Sequence, residues 1–181
     1  MEFITDTNIA DIILIKPTIF SDKRGYFFES YHHEKFMAAG ITDTFLQDNQ
    51  SHSVKGTLRG LHLQREPKGQ AKCIRCLRGS IYDVAVDVRP HSSTFGNWTA
   101  YTLSADNQHM LYIPSGFAHG FLVLSDIATI QYKCSHTYSK EHEQCLRYDD
   151  PDVAIDWPEQ QAIILSEKDQ QGLSLGSFQK T

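Results

Sequence analysis

The sequence predicts a mainly β protein, a sandwich or barrel of short strands with short peripheral helices. Two observations carry this. From Leu58 onward, apolar runs rich in Val, Ile, Tyr and Phe recur at close, regular spacing. Turn-forming residues separate each run from the next: Arg78-Gly79-Ser80, Arg89-Pro90, Ser104 to Asn107, Pro114-Ser115-Gly116 and Ser125-Asp126.

Ile12 to Ile15 reads as a short strand ended by Pro17, and Tyr26 to Tyr31 as another after the turn-rich Phe20 to Gly25. His33 to Ala39 is a short helix stopped by Gly40. Phe45 to Ser53 is extended but polar, which fits either a solvated edge strand or the wall of a polar ligand site. Seven strands follow: Leu58 to Gln64, Ala71 to Leu77, Ile81 to Val88, Trp98 to Leu103, Met110 to Ile113, Gly120 to Leu124 and Ala128 to Ser135. In the third, Val84, Val86 and Val88 alternate with Asp83, Ala85 and Asp87, so the two sets take opposite faces. Ser166-Glu167-Lys168-Asp169 is a capping box opening a short helix that stops near Gly172.

The chain has 181 residues, enough for a single domain with its own core over residues 1–181. Seventeen basic against 22 acidic residues give a net charge of −5, which argues against a nucleic-acid partner. The start, Met1 to Lys16, has no basic region ahead of an apolar core and does not read as a signal peptide. No apolar run is long enough to span a membrane as a helix, so a cytoplasmic location is expected. Of the four cysteines, Cys73 and Cys76 have C-x-x-C spacing, but on a strand they face opposite ways. Free thiols, with Cys134 and Cys145, fit better than zinc or redox chemistry.

The chemistry concentrates in residues 55–76. His62 follows Arg59-Gly60-Leu61, and Lys72 lies across a connection of about ten residues. A base and a cation over one pocket suit removal of a proton beside a carbonyl. The same residues also fit a surface hairpin with a solvated His and Lys.

Gly56 and His62, with Pro114-Ser115-Gly116-Phe117-Ala118-His119, resemble the two motifs of the cupin jelly roll. Metal-binding cupins carry a second His two residues after the first and a carboxylate beyond it; here Gln64 holds that position. His62 and His119 alone are too few for a protein metal site, so no metal is expected.

The chain further resembles the dTDP-4-dehydrorhamnose 3,5-epimerases. The matching pieces run in order: Asp22 to Glu29, Gln47-Asp48-Asn49, Arg59 to His62, Gln70-Ala71-Lys72, Ile113 to Phe121, Tyr132-Lys133-Cys134, Asp149-Asp150-Pro151, Asp156-Trp157-Pro158 and Leu165 to Asp169. The resemblance implies a cupin-type jelly-roll barrel. It implies inversion of dTDP-4-dehydro-6-deoxy-D-glucose at C3 and C5, giving dTDP-4-dehydro-L-rhamnose for dTDP-L-rhamnose biosynthesis, with no cofactor.

By resemblance, His62 is the base, Asp169 its carboxylate partner, Lys72 the stabiliser of the enolate oxygen and Tyr132 the acid on the opposite face. His119 and Asp83 are polar support near the ketone. Arg24 and Arg59 correspond to diphosphate contacts, and Gln47 and Asn49 to the thymine edge, with Asp48 and Glu29 nearby. Tyr138 corresponds to an aromatic stacking on thymine, and Glu143 and Lys168 to further contacts. The family exchanges an N-terminal segment between subunits, which implies a homodimer in which Arg24 and Glu29 can serve the neighbouring site. Two other readings stand beside this one: a relative inverting only C3 or only C5, and a non-catalytic cupin that binds a nucleotide sugar.

Overall fold

The computed structural model describes residues 1–160 and 162–180. Its strands are β1 (Glu2–Thr5), β2 (Ile13–Lys16), β3 (Phe20–Asp22) and β4 (Gly25–Phe27), then, after helix α1 (His33–Ala38), β5 (Gln47–Val54), β6 (Leu58–Gln64), β7 (Lys72–Arg78), β8 (Ser80–Asp87) and β9 (Trp98–Ser104). β10 (Met110–Ile113), β11 (Phe117–Val123), β12 (Ile127–Cys134) and β13 (Glu143–Cys145) complete them, followed by the 3-10 helices η1 (Asp169–Gln171) and η2 (Leu175–Lys180).

The strands form the expected jelly roll. One sheet has the order β1-β2-β10-β7-β12-β5, the other β13-β6-β11-β8-β9, and β3-β4 stands apart as a hairpin. Between the two sheets lies an apolar core that includes Leu14, Ile74, Leu111, Ile113, Ile81, Leu103, Phe117, Phe121 and Ile130. Neither outer face is bare. Phe36 of α1 and Ile41 cover the first sheet at Ile15, Cys73, Met110 and Tyr112. The C-terminal segment covers the second, with Leu146, Val153, Leu175 and Phe178 packed on Leu61, Leu63, Val84 and Val86. The valine stripe of β8 therefore faces outward under the C-terminal segment, and Ala85 takes the barrel interior.

Three strands escape the sequence pattern. β1 and β13 are four and three residues long, too short for alternation to register. Phe20 to Asp22, read as turn, pairs with β4, and the strand expected over Tyr26 to Tyr31 ends at Phe27. The C-x-x-C pair divides as expected: Cys73 joins the outer cluster, Cys76 the inner one, and all four cysteines are free. In the tail, the Asp169 backbone N–H donates to Ser166 Oγ at 3.2 Å, and η1 ends at Gly172.

Candidate active site

Polar side chains gather at one end of the barrel interior. The cleft there, about 230 Å³, is lined from the first sheet by Gln47, Asn49, Ser51, Lys72 and Tyr132, and from the second by Arg59, His62, Gln64, His119 and Phe121, with Tyr138 and Glu143 at its rim. Strand alternation places most of them. β5 turns Gln47, Asn49 and Ser51 to the cleft, and β12 pairs Tyr132 with Asn49 and Cys134 with Lys72.

Arg59 and His62 break the alternation, since residues three apart on a regular strand face opposite ways. Here β6 bulges. His119 pairs with His62 but Phe121 with Arg59, so three residue steps on β6 oppose two on β11, and both polar side chains reach the cleft. Two glycines permit it. Gly60 has φ +118, and a Cβ on it would lie 2.6 Å from the Gly120 Cα.

His62 Nε2 lies 2.5 Å from Asp169 Oδ1, and Ser166 Oγ donates to Asp169 Oδ2 at 2.8 Å. The capping-box carboxylate thus turns inward to the histidine while its backbone keeps the cap. Burial pushes the Asp169 carboxyl up, but the hydrogen bond and charge of His62 and the Ser166 hydroxyl outweigh it and hold the group below its usual value. A carboxylate at Nε2 leaves Nδ1 as the lone-pair nitrogen of a neutral ring. A second pair lies deeper: His119 Nε2 sits 3.0 and 3.1 Å from the two Asp83 oxygens. Desolvation lowers the His119 pKa despite the opposing pull of Asp83, so this ring is neutral near pH 7.

Lys72 is buried and donates through Nζ to the His62 carbonyl oxygen at 2.9 Å. Desolvation pulls its ammonium below the usual lysine value, against the attraction of Cys134, Asp83 and Glu143. Burial raises Tyr132, so its hydroxyl keeps its proton well past neutrality; Arg59 and a hydrogen bond from Asn49 pull the other way. Asn49 is itself fixed by a 2.9 Å hydrogen bond from Gln47 Nε2 to its Oδ1. At the rim, the Tyr138 hydroxyl donates to Glu143 at 2.8 Å, and Lys168 pairs with Glu143.

Three of the residues singled out in the sequence are not brought to this cleft. Asp48 alternates to the other face of β5, where it pairs with Lys133 at 3.1 Å. Arg24, on the β3-β4 hairpin, pairs with Asp22 at 2.6 Å and is 85% exposed, and Glu29 pairs with Lys35 at 2.7 Å. Gln64, where a metal-binding cupin has its second histidine, spends its amide on structure: Nε2 donates to the Lys68 carbonyl at 2.8 Å and Oε1 accepts the Ser139 N–H at 2.7 Å. The sequence reading missed Cys145, which β13 sets opposite His62 with its Sγ 3.9 Å from Asp169 Oδ1. It also missed Cys134, which accepts a hydrogen bond from Asn49 Nδ2 at 3.6 Å. Burial, with Asp169, pushes the Cys145 thiol up to about 12.

The profile of the family described as dTDP-4-dehydrorhamnose 3,5-epimerase matches residues 6–177. The chain is 50% identical over 165 residues to the dTDP-4-dehydrorhamnose 3,5-epimerase of Pseudomonas aeruginosa, covering 91% of each chain. The crystal structure of dTDP-6-deoxy-D-glucose-3,5-epimerase from Legionella pneumophila, in complex with dTDP-4-keto-L-rhamnose, superposes with a TM-score of 0.93 at 44% identity, covering 97% of this chain and 93% of that one. A 3'-monoepimerase from Streptomyces bikiniensis in complex with dTDP-quinovose gives 0.89 at 35% identity, covering 94% and 87%. With the fold, the cleft and the matched residues in agreement, the chain belongs to the dTDP-4-dehydrorhamnose 3,5-epimerase family.

Proposed function

We propose that the chain is an isomerase that inverts dTDP-4-dehydro-6-deoxy-D-glucose at C3 and C5 to give dTDP-4-dehydro-L-rhamnose, in dTDP-L-rhamnose biosynthesis. One observation carries the reading. A His–Asp dyad on one wall of the cleft faces a protonated tyrosine and a buried lysine on the other.

The C3 and C5 hydrogens flank the C4 ketone, so removal of either leaves an enolate. His62 Nδ1 takes the proton while Asp169 holds Nε2–H and stabilises the imidazolium. The electron pair of the broken C–H bond moves to the C4 oxygen, where the Lys72 ammonium meets the developing charge. Tyr132 returns a proton from the opposite wall and inverts the centre. Exchange with solvent then resets both groups. Proton transfers and charge stabilisation suffice, so the reaction calls for no redox cofactor. His119, held by Asp83, is polar support near the ketone.

At about 230 Å³, the cleft is smaller than the roughly 300–1,000 Å³ of typical ligand sites, which suits the sugar end of the substrate. The nucleotide then runs outward past Arg59, Gln47, Asn49 and Tyr138 toward Glu143 and Lys168. The protein acts as a cytoplasmic homodimer of single-domain chains. On the β3-β4 hairpin Phe20, Tyr26 and Phe27 are each more than 60% exposed, an apolar surface suited to a second copy, and Arg24 and Glu29 complete the neighbour's site.

The test is to incubate the protein with dTDP-4-keto-6-deoxyglucose in D₂O and follow the sugar by NMR. Deuterium at both C3 and C5 is expected. Deuterium at one carbon makes the chain a monoepimerase, and none removes the enzymatic reading.

A further inference from the structure

We propose that His62, Asp169 and Cys145 form a binding site for Zn²⁺, and that its occupancy switches the base off. The topology builds the site: antiparallel register sets Cys145 of β13 opposite His62 of β6, and η1 delivers Asp169 to both. One ligand atom from each residue lies within 4.8 Å of the other two. Cys145 Sγ and His62 Nε2 both converge on Asp169 Oδ1, at 3.9 and 2.5 Å. Cys145 and Asp169 are buried, whereas His62 opens to the cleft, which gives an ion its way in.

The donor chemistry selects the ion. One sulfur, one imidazole nitrogen and one carboxylate oxygen suit Zn²⁺, and a thiolate disfavours Ca²⁺ and Mg²⁺. Tetrahedral zinc, with bonds of about 2.0–2.3 Å, spreads its ligand atoms to roughly 3.3–3.6 Å. The His62–Asp169 contact must open to that distance, and the Cys145–Asp169 contact must close slightly. The fourth position takes water.

Binding balances simply. Cys145 loses its thiol proton to solvent as its sulfur bonds the metal. His62 must present a lone pair at Nε2, so the proton of the neutral ring moves to Nδ1. Nδ1 then has no lone pair with which to accept a substrate proton, and the cation separates Asp169 from the ring. The inhibitory consequence rests on His62 being the base; the site itself does not.

The full-length protein, stripped with chelator, is titrated with Co²⁺ as the spectroscopic probe and then with Zn²⁺ as competitor. One Co²⁺ per chain is expected, with a near-ultraviolet thiolate-to-cobalt charge-transfer band that Zn²⁺ abolishes. Cys145→Ala loses the band and binds Zn²⁺ more than about tenfold more weakly. Its substrate exchange, scaled to its own metal-free rate, becomes correspondingly less sensitive to Zn²⁺. Absence of the band, or equal Zn²⁺ affinity in wild type and Cys145→Ala, overturns the site. A bound ion with the band but undiminished exchange supports the site and overturns the assignment of His62 as base, whereas a metal-free protein with no exchange at all overturns only the epimerase reading.

Discussion

Two His–Asp pairs share one cleft and differ in what surrounds them. The His62 side chain is 31% exposed and its carboxylate arrives from the C-terminal tail, 107 residues away. The His119 side chain is 8% exposed, and Asp83 stands wholly buried on the neighbouring strand β8. The same two residue types are therefore suited to different work. An accessible imidazole with a carboxylate behind one nitrogen can collect a proton and be reset by solvent. A sealed one, kept neutral by burial, can only orient and donate.

The most severe way to break the comparison is to exchange the rings' fates. His62→Asn is expected to lower C3 and C5 exchange by about 10³-fold or more with nucleotide binding retained, and His119→Asn by much less. Exchange rates and dTDP titration calorimetry on both variants decide it. Asp169→Asn, which removes the charge and misdirects the tautomer, is expected to cost about 10²–10⁴-fold in kcat, and Asp83→Asn less, in the same assay.

Lys72 touches both pairs, through the His62 carbonyl and through attraction to Asp83. Lys72→Met is expected to cost about 10²–10³-fold in kcat. Because desolvation depresses this lysine, its charge opposes folding below its folded-state pKa, so the variant's melting temperature at pH 7 stays level or rises. With Lys72 in the proposed role of meeting the enolate charge, activity is expected to need its ammonium, and the alkaline limb of kcat/KM to fall below the ordinary lysine value of about 10.4. Lys72→Arg moves that limb upward.

The smallest effect concerns a carboxylate with no histidine. Buried Asp6 accepts from Tyr101 Oη at 2.6 Å, Thr99 Oγ1 at 2.7 Å and the Ile9 and Asn8 N–H groups at 2.8 Å. These bonds overcome its burial and hold its carboxyl below the usual value. Its stabilisation is present above the unfolded carboxyl pKa of about 4 and is lost as pH falls through the lower folded one. Asp6→Ala is expected to cost about 1–3 kcal/mol at pH 7, a gap in urea unfolding that narrows below about pH 4.

Much of this was legible in the residues. Strands β6 to β12 announced themselves through apolar runs cut by turns, and β5 through an extended run of amides and hydroxyls that fitted either an edge strand or a ligand wall and serves as both. His62 and Lys72 suggested a base and a cation by type and spacing, but the same residues fitted a solvated hairpin, and the family resemblance chose between the two readings. What hid was long-range or irregular. The bulge that turns Arg59 and His62 the same way depends on a partner strand distant in sequence, at His119 and Phe121. Asp169 read only as part of a capping box, and its backbone N–H does bond Ser166 Oγ while its carboxylate turns to His62. Cys145 meets His62 through a three-residue strand too short to leave a pattern.

The central claim is that the open dyad supplies the base and the sealed one does not. Chemical rescue measures it directly. Added imidazole is expected to restore C3 and C5 deuterium exchange to His62→Gly in proportion to the neutral imidazole concentration, and to leave His119→Gly unimproved. Rescue of His119→Gly alone, or near wild-type exchange by His62→Gly without imidazole, would contradict the claim.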